Sequence, residues 1–204
     1  MPGALLFAGE EGLGKKLFAL ELARALNCVR KVGVEGCGKC PACVRTSHFE
    51  FPASDDRDAH KKVIWSGHRD VGQLIPYNRS TLVDAVRDLN DESNYRPFEG
   101  AARVFIVAEA DSLNEAASNA LLKTLEEAPH TTHLVLITAR PSSLLPTIRS
   151  RCQTIRFAPV PVEELEHFLT RTRKRAGEEA RLAAHVLDLD GGEPRLELAV
   201  RLVV

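Results

Sequence analysis

The feature that most constrains this chain is the run Gly9-Glu10-Glu11-Gly12-Leu13-Gly14-Lys15-Lys16, set between an apolar segment and an amphipathic one. The apolar segment, Ala4-Leu5-Leu6-Phe7-Ala8, has the unbroken hydrophobicity of a parallel strand buried on both faces. Leu17 to Leu26 then carries apolar residues at helical spacing. A glycine-rich turn in that setting reads as a phosphate loop. Gly9, Gly12 and Gly14 let backbone N–H groups surround an anion at the start of a helix, while Lys15 reaches its outer oxygens. The alternative is a turn that merely joins strand to helix.

Position 16 of such a loop should carry a Ser or Thr hydroxyl for magnesium, and here it is Lys16, a second cation. The other half of a nucleotidase site should be an apolar strand ending in an Asp that holds the metal through water, followed by a Glu that activates the attacking water. Arg103-Val104-Phe105-Ile106-Val107 is that strand, and it runs into Ala108-Glu109-Ala110-Asp111. The metal-holding place is alanine and Glu109 occupies the base position, unless it is simply a solvated carboxylate. With both magnesium handles missing, charge on a transferred phosphoryl group is poorly neutralised, and the pair of departures points to an ATPase that no longer turns over.

The rest of the chain alternates in the same way. Ser80 reads as an N-cap before the stripe Leu82, Val83, Val86 and Leu89; Leu113 to Leu125 reads as a helix, His133 to Thr138 as a buried strand, Pro141 to Arg149 as a short helix and Thr154 to Phe157 as a closing strand. Strands separated by helices of this length imply an α/β domain with a parallel sheet covered on both faces, here 1–158. Residues 44–69 are polar and poorly periodic and read as an excursion from the core. After Pro159 and Pro161 the pattern changes to three helices, a small helical domain over 159–204 with Gly191-Gly192 as a break, and the lack of a natural stop at Val204 suggests a piece of a longer chain.

Four of the five cysteines crowd into Cys28, Cys37, Cys40 and Cys43, the last three forming two overlapping C-x2-C pairs. In a chain of 204 residues without a signal-peptide pattern, a disulfide scaffold is a poor reading. The spacing points to a structural zinc closed by four thiolates, with free or redox-active thiols as the alternative, and Cys152 reads as a core cysteine. A net charge of -1 argues against a protein that grips nucleic acid by bulk electrostatics alone, and with no apolar run long enough to span a membrane the chain reads as cytoplasmic.

Two further runs make the combination recognisable: Asn119-Ala120-Leu121-Leu122-Lys123-Thr124-Leu125-Glu126-Glu127-Ala128-Pro129 and Leu144-Leu145-Pro146-Thr147-Ile148-Arg149-Ser150-Arg151-Cys152. With the cysteine module after the phosphate-loop helix, they closely resemble the clamp-loader branch of the AAA+ family, and within it the delta-prime type of DNA polymerase III subunit. The resemblance implies an AAA+ sheet with an inserted zinc module and a helical lid. It implies that Arg151 is an arginine finger offered to a neighbouring subunit's ATP, the alternative for this residue being a surface ion pair. It further implies that Cys28, Cys37, Cys40 and Cys43 hold zinc, that Lys15 and Glu109 match the phosphate-loop lysine and the acidic base, and that Arg195 matches a second sensor arginine. The first sensor falls at Ala139, beside Thr138, and reads as lost. The implied role is a non-hydrolysing subunit that works with motor and delta-type subunits to place a sliding clamp on primed DNA. ATP or ADP binding stays open and magnesium is not expected. The family would add a C-terminal collar and a segment before the first strand, neither of them recognisable here. Rival readings are an active motor ATPase of the same fold and a zinc-stabilised interaction module with a relic phosphate loop.

Overall fold

The computed structural model describes residues 2–31, 33–159 and 161. Apart from positions 159 and 161, the helical domain expected over 159–204, with Arg195 in it, lies outside the described residues.

The apolar runs become strands where expected: β1 (Ala4–Ala8), β4 (Arg103–Val107) and β5 (Thr132–Thr138), every residue of all three buried. Two shorter strands, β2 (Ile64–Trp65) and β3 (Val71–Leu74), precede β4, and β6 (Gln153–Arg156) follows β5. The sheet order is β2-β3-β4-β5-β1-β6. All neighbours run parallel except β2, which pairs antiparallel with β3 at one edge. The expected parallel sheet therefore carries a short antiparallel edge strand, drawn from the polar excursion at 44–69.

Because successive side chains of a strand point to opposite faces, each apolar run feeds two cores. Leu6, Leu74, Phe105, Val107, Leu134 and Leu136 face one side, packed with Val86, Leu89, Leu121, Ile148 and Cys152. Those partners come from α3 (Val83–Ser93), α4 (Glu115–Glu127), α5 (Pro146–Arg151) and the bend after it. Leu5, Phe7, Val71, Val104, Ile106, Val135 and Ile137 face the other side, packed with Ala19 and Ala23 of α1 (Lys15–Asn27). Each fully buried Phe or Leu contributes roughly 1.5–3 kcal/mol, so the fold rests on these two layers. Cys152 is the core cysteine anticipated, its thiol pushed up to about 11 by burial.

Two details differ from the sequence reading. Ser80 is not an N-cap: α3 begins at Val83 after Leu82, and the Ser80 hydroxyl donates to the Ser112 carbonyl. The segment from Pro141 divides into a single 3-10 turn, Pro141–Ser143, and α5, because Pro146 restarts the chain at the first helical position.

Candidate functional site

β1 runs straight into the phosphate loop, and α1 starts immediately after Gly14, whose φ of 75° requires a residue without a Cβ. The loop is seated against the chain that follows β6. Phe157 N–H donates to the Ala8 carbonyl at 2.8 Å, and a Cβ on Gly9 would lie 2.5 Å from the Phe157 carbonyl oxygen. Phe7, Phe18 and Phe157 pack edge to face or tilted, with centroids 5.2 to 5.7 Å apart, so the loop rests on an aromatic triad.

Lys15 is buried, and its Nζ donates to the carbonyls of Gly9, at 2.7 Å, and Glu10. The ammonium thus lies within the loop it would serve. In front of it is a cavity of about 620 Å³, within the range of small-molecule sites. Gly12, Gly14, Lys15 and Lys16 line it from the loop, and Gln73, Ala108, Glu109, Thr138 and Ala139 line it from the strand ends. The structure therefore brings the sequence-predicted loop residues and Glu109 to one pocket. Lys16 is half-buried on the first turn of α1, with its Nζ 4.9 Å from the centroid of the Phe51 ring. Phe51 belongs to the excursion and stacks on Phe49, so that segment reaches Lys16 at the edge of this cavity. Ala108 offers no oxygen for a metal. Glu109 is exposed and holds a φ of 49°, a left-handed conformation that costs a non-glycine residue about 1 kcal/mol.

Asp111, Thr138 and Arg140 form a network at the same pocket that the sequence reading missed. Thr138 Oγ1 donates to Asp111 Oδ1 at 2.9 Å and accepts from the Arg140 amide at 2.9 Å. The Arg140 guanidinium donates twice to Asp111 Oδ2, at 3.0 and 2.8 Å. Burial alone would raise the Asp111 carboxyl, but the bonds from Arg140 and Thr138 outweigh it and hold the group below the usual carboxylate range. The Thr138 hydroxyl, beside Ala139, is thus committed to a carboxylate of this chain. Gln73 was missed as well; it is buried in the cavity wall with both carboxamide atoms lacking a hydrogen-bond partner among the described residues.

The four cysteines converge on a separate module at the other end of α1. Cys28 follows α1, and Cys40 caps α2 (Pro41–Thr46), which carries Cys43. No disulfide joins them. Sulfurs bound to one zinc at about 2.3 Å stand about 3.8 Å apart. The Cys28 and Cys40 sulfurs are 3.9 Å apart, and all four lie within 4.8 Å of one another. Backbone amides of Arg30 and Cys37 donate to Cys28 Sγ, and that of Cys40 to Cys37 Sγ, each at 3.3 Å. The Cys37 amide is the main cause of a lowered Cys28 thiol, and the Cys43 amide draws Cys40 down to about 6. Burial, then its bond with Cys40, pushes Cys43 up to about 12. The donor set, spacing and amide bonds fit a tetrahedral, thiophilic cation with no open position. Arg24 Nε donates to the Cys43 carbonyl at 3.1 Å and ties the module to α1.

Arg151 is the last residue of α5, just before β6. β6 runs parallel to β1, with Gln153 opposite Leu5 and Arg156 opposite Ala8. Arg151 is therefore level with the start of β1, a strand of five residues and about 17 Å from the phosphate loop at its end. Its guanidinium pairs with Glu126 Oε1 at 2.5 Å and donates to the Thr147 carbonyl at 3.0 Å. Both partners of the ion pair are solvent-exposed, 37% and 48%.

The family described as DNA polymerase III, delta subunit, matches residues 1–161. The chain is 36% identical over 200 residues to the DNA polymerase III subunit delta' of Escherichia coli, covering 97% of this chain and 54% of that protein. It is 35% identical over 199 residues to subunit gamma/tau of Mycobacterium tuberculosis, covering 97% and 32%, and 33% identical over 163 residues to subunit delta' of Bacillus subtilis, covering 80% and 44%. It thus spans about a third to about half the length of these curated relatives. Among solved structures, a DNA polymerase III gamma subunit-related protein of Thermotoga maritima superposes with a TM-score of 0.53 at 22% identity, covering 98% of this chain and 66% of that one. A RuvB variant of the same organism superposes with a TM-score of 0.57 at 16% identity, covering 100% and 54%; both likenesses speak to the fold. Among the described residues no helix is long and apolar enough to cross a membrane. By family match, by relatives and by its sheet, the chain belongs to the DNA polymerase III delta-subunit family of clamp-loader proteins, built on the AAA+ fold.

Proposed function

We infer that this chain is a clamp-loader subunit of the delta-prime kind, which does not hydrolyse ATP at its own site and completes the site of a neighbouring motor subunit with Arg151. The observation that carries the reading is the placement of Arg151 at the opposite end of the sheet from its own phosphate loop. A guanidinium there cannot serve the nucleotide of its own chain, whereas a permanent planar charge on an exposed edge suits the γ-phosphate of another. Ala108 and Lys16 support the non-hydrolysing half, since neither supplies an oxygen for magnesium. Motor and delta-type subunits are the direct partners, and the sliding clamp and primed DNA are reached through the assembled complex. Zinc bound by Cys28, Cys37, Cys40 and Cys43 would close the module after α1, and one zinc per chain by elemental analysis after reduced purification is the expected result.

Arg151→Ala in a reconstituted loader should lower ATP turnover while this chain's own unfolding temperature stays unchanged; unaltered turnover would remove the finger assignment. A second reading, an ATP-hydrolysing motor subunit, draws on the 35% identity to gamma/tau. Magnesium-dependent phosphate release by the purified chain alone would favour it.

A further inference from the structure

Trp65, the single tryptophan of the chain, ends β2 close to where β3 and β4 begin, at the end of the sheet opposite the phosphate loop. With the last turn of α3 and the loop Tyr95-Arg96-Pro97-Phe98 it bounds a groove of about 780 Å³, within the range of ligand sites. Tyr95 and Phe98 are 61% and 69% exposed, yet the loop that carries them is braced. The buried Asp70 carboxylate accepts the amides of Phe98, Glu99 and Gly100 at 2.6 to 2.9 Å. Arg45 of α2 donates twice to Glu99, at 3.1 and 2.8 Å, and once to the carbonyl of Gly67 on the opposite rim, at 3.2 Å. Two rings held in water on a fixed loop contribute little to the core, whereas contacts ordered in advance lose less entropy when a partner arrives.

The groove is also cationic. Arg103 is 5% exposed, with its guanidinium carbon 4.9 Å from the centroid of the Trp65 ring and 5.5 Å from that of Phe105. Glu92 accepts from it at 2.8 Å, but its Nε has no hydrogen-bond partner among the described residues. Arg69 stands over the Phe98 ring at 4.7 Å, and Arg96 is exposed on the loop. Three guanidinium groups thus line the groove with one carboxylate, and a buried charge answered by one partly exposed acid leaves a positive field for an anion to meet.

We propose that this groove docks an acidic segment of a partner protein, a bulky apolar side chain of that segment packing on Trp65, Tyr95 and Phe98 while a neighbouring carboxylate meets Arg69 or Arg96. Tryptophan, tyrosine and arginine gathered in one concave site have the make-up of a binding hot spot. A nucleic-acid strand suits the groove less well, because Glu92 interrupts the cations and a phosphate backbone needs a run of them. The groove lies at the β2 side of the sheet, whereas Arg151 precedes β6 at the other edge, so the proposal goes beyond the finger reading and does not rest on it.

The test is selection of a random peptide display library on the purified chain, followed by titration of the enriched peptides with Trp65 fluorescence as the readout. Enriched sequences should combine Asp or Glu with a bulky apolar residue and should shift the Trp65 emission on binding. Tyr95→Ala should weaken them by roughly tenfold, and Arg96→Glu by about as much with the loss shrinking in high salt, both at an unchanged unfolding temperature. No enrichment, enrichment of basic or uncharged sequences, or binding that neither variant weakens overturns the proposal. Stronger binding of a single-stranded oligothymidylate in the same titration would make the groove a nucleic-acid site, and self-association abolished by Tyr95→Ala would make it a contact between two copies of this chain; either result overturns the proposal.

Discussion

Two arginines at opposite ends of the sheet are held in opposite ways. Arg140, at the end of β5, donates twice to an Asp111 carboxylate that is only 10% exposed and is fixed from behind by Thr138. Arg151, before β6, meets a single Glu126 oxygen and the Thr147 carbonyl; it is less exposed than Arg140, 37% against 72%, but its carboxylate partner is 48% exposed where Asp111 is 10%. A carboxylate taken out of water and left alone is costly, so the first pair is a structural clasp. An exposed pair is worth about 0–1 kcal/mol, so the second can open without cost to the fold. A guanidinium meant to meet a partner's phosphate needs the second kind of restraint, which limits where it wanders and yields to a stronger anion.

The largest contrast should appear in a reconstituted loader. Arg151→Ala is expected to reduce ATP turnover at the adjoining site by roughly tenfold or more, given the scale of finger contributions, whereas Arg140→Ala leaves it within about twofold. Equal losses from the two would break the comparison. Stability should respond in the reverse order: Asp111→Ala strands Thr138 and Arg140 and should cost about 2 kcal/mol, a fall of about 4–8 °C in the unfolding temperature. The same pair carries a pH signature. Because the folded Asp111 carboxyl lies below its unfolded value, its contribution is present above the unfolded pKa of about 3.9 and is lost as pH falls through the folded value. Asp111→Asn should therefore be less stable than the unaltered chain at pH 7, with the gap narrowing in urea titrations below about pH 4. The smallest effect belongs to Glu126→Gln. Freeing Arg151 from its exposed partner should change stability by less than about 0.5 kcal/mol. It should alter loader turnover by no more than about threefold, and a loss as large as that of Arg151→Ala would show that Glu126 is part of the finger rather than its tether.

Much of the molecule was legible because its signals are local. A fully buried strand must be apolar along its length, which is why β1, β4 and β5 could be read from composition. β3 could not be read, since Val71-Gly72-Gln73-Leu74 has a glycine and an amide at its centre. The structure supplies the reason for the glycine: a Cβ on Gly72 would lie 2.4 Å from a Val63 methyl and 3.2 Å from the Trp65 ring, so the antiparallel edge strand packs where a side chain would be. The polar excursion hid that edge, and with it the Phe51 ring beside Lys16. Ser80 misled because an N-cap residue also suits a turn, and its hydroxyl bonds to Ser112 instead.

The sequence by itself determined the alternation of β1, α1, α3, β4, α4, β5 and β6, the glycine-rich loop with Lys16 where a hydroxyl would be expected, and the four-cysteine spacing. Each of these depends on residues a few positions apart, whose geometry the backbone sets. Only the tertiary structure decided what meets across the sheet: Asp111 with Thr138 and Arg140, Gln73 facing α1 with no hydrogen-bond partner among the described residues, and Arg151 a strand's length from its own loop. Those relations span tens of residues, and strand register and crossover direction create them, neither of which is written in any single segment.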